Sequence, residues 1–277
     1  QRYVITLDNH TFPDKLASAF TSGKINRIIL IGQGTAGVAA LACCGIMRYY
    51  LNETSIQIES MKSSELSGFI LDADESAHLG DTLLIPISQS GTTTDTNRTV
   101  DMAKQKGAWS IAIVNRRDSD LTFKVNGVLY TSSGRDIEMS VASTKAFYSQ
   151  IIAGHILALS FAQIMGCLTD EEIAVELAVL EQAPQLMNRV LDQKETIREV
   201  AQLVSPQKSY WAIVGSGPNK AAADEIRIKL SELCYKTISS DIVENKKHID
   251  LSAEPLIIVC GAGNPETVVG DIVKDVA

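Results

Sequence analysis

Ser88, Gln89, Ser90 and Thr93 place three hydroxyls and one carboxamide within Ser88-Gln-Ser-Gly-Thr-Thr93, directly after an apolar run and directly before a segment of helical character. One such side chain is enough to cap a helix. Four donors, added to the free N–H groups and the positive dipole end of a helix, point to bound oxyanion, with phosphate favoured. Gly91 is expected to let the backbone approach that ligand closely. No metal is called for, since the histidines and carboxylates show no ligand spacing.

Three further groups could do chemistry. Gly32-Gln-Gly-Thr-Ala-Gly37 matches the G-x-G-x-x-G of dinucleotide-binding folds, and Glu59 falls near the distance of a ribose-binding acid. That motif alone is weak: many doubly wound proteins need a glycine turn merely to fit a tight corner, and a dinucleotide site has no use for the second polar loop. Gly134 to Phe147 mixes charges with small residues ahead of the longest apolar stretch, and Glu138 and Lys145 within it could simply pair on a surface. Glu225, Lys229, Glu232 and Lys236 recur at i, i+4, i+7 and i+11, one face of a helix, which alone is an ordinary solvated stripe. His248 follows Glu244-Asn-Lys-Lys247 in a polar loop.

The elements that must position these groups alternate. Residues 27–31 read as a strand, followed by the glycine turn, a small-residue helix to Tyr50 and a strand at 56–59. Residues 82–87 form a continuous apolar run, as suits a parallel strand covered on both faces. A helix over 95–106 stopped by Gly107, a strand at 109–114 and a short strand at 128–131 complete an α/β fold with a doubly wound parallel sheet. Ahead of it lies a lead-in over 2–20 with Pro13 where a helix could start. Residues 169–204 read as two amphipathic helices split near Pro184, a connector. Strand 210–214 and Gly215-Ser-Gly-Pro-Asn219 then repeat the strand and glycine turn of the first lobe, and strand 256–260 precedes a last helical stretch. The predicted organisation is a first domain over 1–168 with its lead-in, a connector over 169–206, and the N-terminal part of a second domain over 207–277.

Composition narrows the class. The chain of 277 residues is 45% hydrophobic and carries a net charge of −8, so global electrostatics give no support to a nucleic-acid or anionic-membrane partner. Five cysteines without a CxxC pair read as reduced core residues of a cytoplasmic protein. No signal peptide is read at the start, and the apolar stretch 151–165 is short for a membrane span and carries His155 and Gln163, so none is predicted.

Ser88-Gln-Ser-Gly-Thr-Thr-Thr-Asp-Thr96 together with Glu138-Met-Ser-Val-Ala-Ser-Thr-Lys-Ala-Phe147, in this order and spacing, resembles the sugar-isomerase (SIS) half of the glutamine:fructose-6-phosphate aminotransferases. That family makes glucosamine 6-phosphate from fructose 6-phosphate and ammonia. The resemblance covers the chain from about residue 27 onward and implies the SIS fold, with one complete lobe and a second that stops short. It implies that Thr35, Ser88, Gln89, Ser90, Thr93, Val141 and Ser143 bind the sugar phosphate. The family's serine after that threonine is Ala36 here, so one phosphate hydroxyl is missing. The family's K-x-x-E pair and the histidine sixteen residues beyond it fall on Lys229, Glu232 and His248, although the lead-in Gly-Glu-Leu-Lys to that histidine is not kept.

By the same resemblance Glu232 moves a proton between C1 and C2, His248 helps open the sugar ring, and Lys229 tunes Glu232; no cofactor is implied. The family adds an upstream glutaminase domain and a C-terminal tail lysine that engages the sugar carbonyl, so the 277 residues are expected to be incomplete for catalysis. It is also dimeric, with active-site groups shared between subunits. Beside this stand a phosphosugar aldose-ketose isomerase that uses no ammonia, a non-catalytic phosphosugar sensor, and the nucleotide-binding dehydrogenase.

Overall fold

The computed structural model describes residues 3–74, 76–133, 143–248 and 251–276. The chain divides into two compact units, Gln1–Ala178 and Val179–Ala277. Glu138 and Val141 lie outside the described residues.

In the first unit, α1 (Asp14–Thr21) leads into β1 (Arg27–Gly32), α2 (Gly34–Tyr50) and β2 (Gln57–Lys62). Helix α3 (Ser63–Glu65) continues as a π-helical stretch over Leu66–Leu71, and β3 (Thr82–Ser88), α4 (Thr94–Gln105), β4 (Trp109–Val114), α5 (Asp120–Lys124) and β5 (Gly127–Tyr130) follow. Helices α6 (Lys145–Ile164) and α7 (Asp170–Leu180) close the unit. All five strands are parallel, in the order β2-β1-β3-β4-β5. The central strands are apolar because both their faces are covered: every residue of β3 is buried. On one face Ile29, Ile31, Leu84 and Ala112 meet Leu66, Leu71, Val100, Ala103 and Leu121. On the other α2 and α6 pack so closely that a Cβ on Gly154 would lie 2.2 Å from Cys43 Sγ.

Several boundaries differ from the sequence reading. Strand β2 runs on to Lys62 rather than stopping at Glu59, because Ser60, Met61 and Lys62 pair in register with Leu30, Ile31 and Gly32 of β1. The π-helical stretch was not foreseen. Helix α6 has 20 residues, longer than the stretch at 151–165, and with a mean hydropathy of 1.3 it is long and apolar enough to cross a membrane by length and composition. More than half of that apolar window, 56%, is buried within the protein. Cys43 touches Gln150 and Tyr50 touches His155, so α6 runs alongside α2 in the same direction, and its start lies at the end of the sheet where α2 starts.

The segment 169–204 holds three helices, not two. The first, α7, joins the first unit: Ile173 is buried and Glu176 accepts a hydrogen bond of 2.9 Å from Tyr50 Oη. The second unit starts with α8 (Ala183–Leu191), which has Pro184 in its first turn, and α9 (Lys194–Val204); neither helix buries a residue. Next come β6 (Trp211–Gly215), α10 (Asn219–Cys234), β7 (Ile238–Asp241), two 3-10 turns (Val243–His248 and Leu251–Ala253), β8 (Leu256–Cys260) and α11 (Glu266–Val276). The parallel order β7-β6-β8 repeats β2-β1-β3. Around β6, Ile213, Ala223 and Ile238 are buried together with Ile226, Leu230 and Ile258 beside them.

The duplication extends to backbone detail. A Cβ on Gly32 would sit 2.6 Å from the Ala36 carbonyl oxygen, and one on Gly215 2.3 Å from that of Asn219, four residues on in both cases. These glycines let a helix turn back tightly over its strand. Two residues later, Gly34 (φ +54°) and Gly217 (φ +59°) occupy the left-handed region with open space beside them.

Candidate functional site

In a parallel sheet of order 2-1-3-4-5 the connections from β1 and β3 leave on opposite faces, which opens a crevice at their carboxyl ends. Both polar loops singled out in the sequence stand at that crevice. Strand β1 delivers Gln33, Gly34 and Thr35 at the start of α2, and β3 delivers Ser88 to Thr93 at the start of α4. Gln33 Nε2 donates to Asp95 Oδ2 at 3.2 Å, which ties the two helix starts together. Neither helix has a side-chain cap, and each start carries the positive end of its helix dipole.

The hydroxyls divide into two kinds. Ser88 is 3% exposed and its Oγ accepts the Gly91 N–H at 3.0 Å, so it bends the loop. Ser90 is half-buried; its Oγ accepts from the Thr92 N–H at 3.3 Å and from Thr92 Oγ1 at 3.0 Å, which leaves its own proton to donate. Thr93, at the N-cap of α4, is half-buried and makes no cap bond. Gln89 and Thr35 are half-buried at the same edge. Ser143, one residue before the N-cap of α6, has a buried Oγ with no partner among the described residues.

Gly91 departs from the expectation. Its φ of +66° requires glycine, but the missing side chain makes room for protein rather than ligand: a Cβ there would lie 1.9 Å from Ser119 Oγ. Asn97 Nδ2 donates to the Gly91 carbonyl oxygen at 3.1 Å and the Leu121 N–H donates to it at 3.0 Å, so the loop is built inward. Gly34 is the glycine whose Cβ position is open. Glu59, weighed as a ribose acid, is spent on Arg27 in the middle of β2, well short of the crevice.

Sequence reasoning missed what the end of β2 contributes. Lys62 Nζ donates to the Gly34 carbonyl oxygen at 3.4 Å, and the Ser63 and Thr96 hydroxyls are 3.1 Å apart. Thr99 Oγ1 donates to the Ser63 carbonyl oxygen at 2.8 Å. Adjacent residues thus reach the first turns of α2 and α4. Lys62 and Ser63, polar neighbours at the carboxyl end of a strand, were the available signal.

The second unit places the other candidates. On α10, Lys229 Nζ lies 3.2 Å from Glu225 Oε1 and 3.4 Å from Glu232 Oε2, with Glu225 buried and Glu232 37% exposed at its side chain. The charged stripe is therefore a triad and not a row of four. Helix α10 ends at Cys234, Tyr235 turns left-handed, and Lys236 leaves to lie 4.9 Å over the Trp211 ring. His248 is the exposed last residue of a 3-10 turn, and among the described residues no hydrogen bond or ion pair joins it to Glu232. Its electrostatic neighbour is Asp241, whose carboxyl is held below the usual range mainly by the Asn245 amide and the Ile242 N–H, helped by Lys220 and His248. The loop after β8, Gly261-Ala-Gly-Asn264, carries no hydroxyl, unlike Ser88 to Thr93 after β3. Among the described residues no three His, Cys, Asp or Glu side chains gather as metal ligands.

Comparison with known proteins bears on this arrangement. The SIS domain family matches residues 23–160. The isomerizing glutamine-fructose-6-phosphate aminotransferase of Clostridium tetani is 32% identical over 248 residues, 88% of this chain and 38% of that protein. That of Clostridium perfringens is 38% identical over 155 residues, 56% of this chain and 25% of that protein. This chain thus spans well under half the length of these relatives. The solved C-terminal domain of glucosamine-fructose-6-phosphate aminotransferase from Francisella tularensis superposes with a TM-score of 0.83 at 24% identity, over 97% of this chain and 74% of that one. With the matched residues spanning β1 to α6 and the crevice at β1 and β3, the chain belongs to the SIS domain family.

Proposed function

We propose that the crevice between β1 and β3 binds the phosphate of a hexose 6-phosphate, and that the chain is the isomerase and synthase part of a glutamine:fructose-6-phosphate aminotransferase. One observation carries the first half: two uncapped helix starts converge with Ser90, Thr93 and the open Gly34 turn between them. Backbone N–H groups and neutral hydroxyls suit a phosphate. The relatives' names and the Lys229–Glu232 pair support the second half.

The reaction asks little of the protein. Open-chain fructose 6-phosphate condenses with ammonia at C2 and releases water. Moving one proton from C1 to C2, with the O1 hydroxyl proton passing to the imine nitrogen, then turns the imine into the amino aldehyde with no net change of oxidation state. Glu232 is the base, since its exposed carboxylate can reach a substrate proton while Lys229 holds its orientation. His248 is assigned to ring opening. Fructose 6-phosphate and glucosamine 6-phosphate are the ligands, a glutaminase domain is the partner that supplies ammonia, and the setting is a cytoplasmic homodimer.

The test of binding is thermal protection, because a ligand of the native state raises stability in proportion to the logarithm of its concentration. Fructose 6-phosphate is expected to raise the melting temperature of the parent, and Ser90→Ala with Thr93→Val to remove most of that rise without touching the loop-bending Ser88. Equal protection of the double variant places the phosphate elsewhere. Protection by NADH would favour the glycine motif instead.

A further inference from the structure

We infer that Lys62 is the cation of the crevice, binding the anionic group of the ligand and selecting phosphorylated over neutral sugars. The inference rests on the reading of the β1–β3 crevice as a phosphate site.

Lys62 is the last residue of β2, paired in register with Gly32 at the end of β1. Its side chain crosses the first turn of α2: Nζ is 3.4 Å from the Gly34 carbonyl oxygen, and a Cβ on Gly37 would lie 2.5 Å from that Nζ. A Cβ at Gly37 would also lie 2.9 Å from the Gly32 carbonyl oxygen, so the close fit of helix on strand calls for glycine there and the ammonium passes over the space this leaves. Lys62 is solvent-exposed, and a helix start carries the equivalent of about half a positive charge, so an anion bound there meets both that field and the ammonium.

Other charges sharpen the point. These 277 residues carry −8, which repels an anionic ligand at long range. Asp95 brings a carboxylate to the first turn of α4 at the same edge, and the Gln33 carboxamide that meets it is neutral. The hydroxyls of Ser90 and Thr93 donate hydrogen bonds but add no charge. Lys62 supplies that charge at the Gly34 turn, beside the Ala36 position that lacks a hydroxyl.

Calorimetric titration of the 277-residue chain at two salt concentrations tests this. Lys62→Gln keeps a donor for the Gly34 carbonyl and removes the charge; Lys62→Met removes both and serves if the first variant does not fold. The neutral variants are expected to bind fructose 6-phosphate about tenfold more weakly, as loss of a charge-assisted hydrogen bond implies, and with a shallower salt dependence. Lys62→Arg should stay within about threefold of the parent, since the charge is kept. If the neutral variants bind within twofold of the parent with the same salt slope while Ser90→Ala binds weakly, Lys62 only braces the turn and the inference fails alone. If the parent binds neither fructose 6-phosphate nor inorganic phosphate, the crevice reading fails with it.

Discussion

At the scale of single residues, the site depends on which groups are spent on the protein and which are left for a ligand. Ser88 and Gly91 are spent: one bends the loop and the other makes room for Ser119. Gly91→Ala should therefore cost about 2–4 kcal/mol of stability, from overpacking against Ser119 and the left-handed backbone, and a denaturant midpoint equal to the parent's would refute the tight fit. Gly34→Val should strain a turn of φ +54° and fill the open space beside it, so fructose 6-phosphate affinity ought to fall even where the variant folds; normal binding would make the turn purely structural. On α10, Glu232→Gln keeps size but cannot accept a proton. For the proposed reaction in the full-length protein, exchange of the C1 proton with solvent should drop by a factor on the order of a hundred while sugar phosphate binding persists. Parental exchange in that variant removes Glu232 from the chemistry. The donor cluster at Ser88 to Thr93 was legible because hydroxyls on consecutive positions are visible in any sequence. Which hydroxyl faces inward was not, because that depends on Ser119, Asn97 and Leu121 arriving from other segments.

At the scale of elements, the strands were easiest to read, since β3 and β4 are apolar on both faces and need no partner to declare themselves. The end of β2 was harder: Ser60 to Lys62 extend the strand by pairing with Leu30 to Gly32, and Ser63 meets Thr96, contacts that no local pattern announces. Helix α7 was assigned to a connector because nothing local reveals that Tyr50 and Ile173 fasten it to the first unit. That fastening has a pH signature. Tyr50 Oη donates to Glu176, so His155 Nε2, 2.9 Å away, donates to Tyr50, and burial pushes the His155 pKa below its usual value although Glu176 pulls the other way. With the folded value lower than the unfolded one, the unfolded chain takes up the proton first as pH falls. The stability of neutral His155 is thus present above the ordinary histidine pKa of about 6.5 and is progressively lost as pH drops below it. His155→Gln keeps a donor for Tyr50 without titrating, so its melting temperature should change less than the parent's between pH 8 and pH 5.5. An equal change in both would show that His155 does not set the slope.

At the scale of the molecule, the internal repeat explains why one unit carries the crevice chemistry and the other the α10 triad. Each contains a strand followed by a tight glycine and a left-handed glycine, Gly32 and Gly34 in one and Gly215 and Gly217 in the other. The repeat was legible from those glycines because backbone requirements are written directly in residue type. The loops after β3 and β8 have diverged: Ser88 to Thr93 is rich in donors, and Gly261 to Asn264 has none of those hydroxyls. A phosphate should accordingly choose the first unit. The most direct measurement is a residue-resolved titration of backbone amide resonances with fructose 6-phosphate and, in parallel, with unphosphorylated fructose. The account predicts saturable shifts concentrated at residues 33–37 and 89–95 with the phosphate ester and no matching shifts with fructose. Shifts centred on residues 215–219 and 261–264, or the same pattern with both sugars, would contradict it.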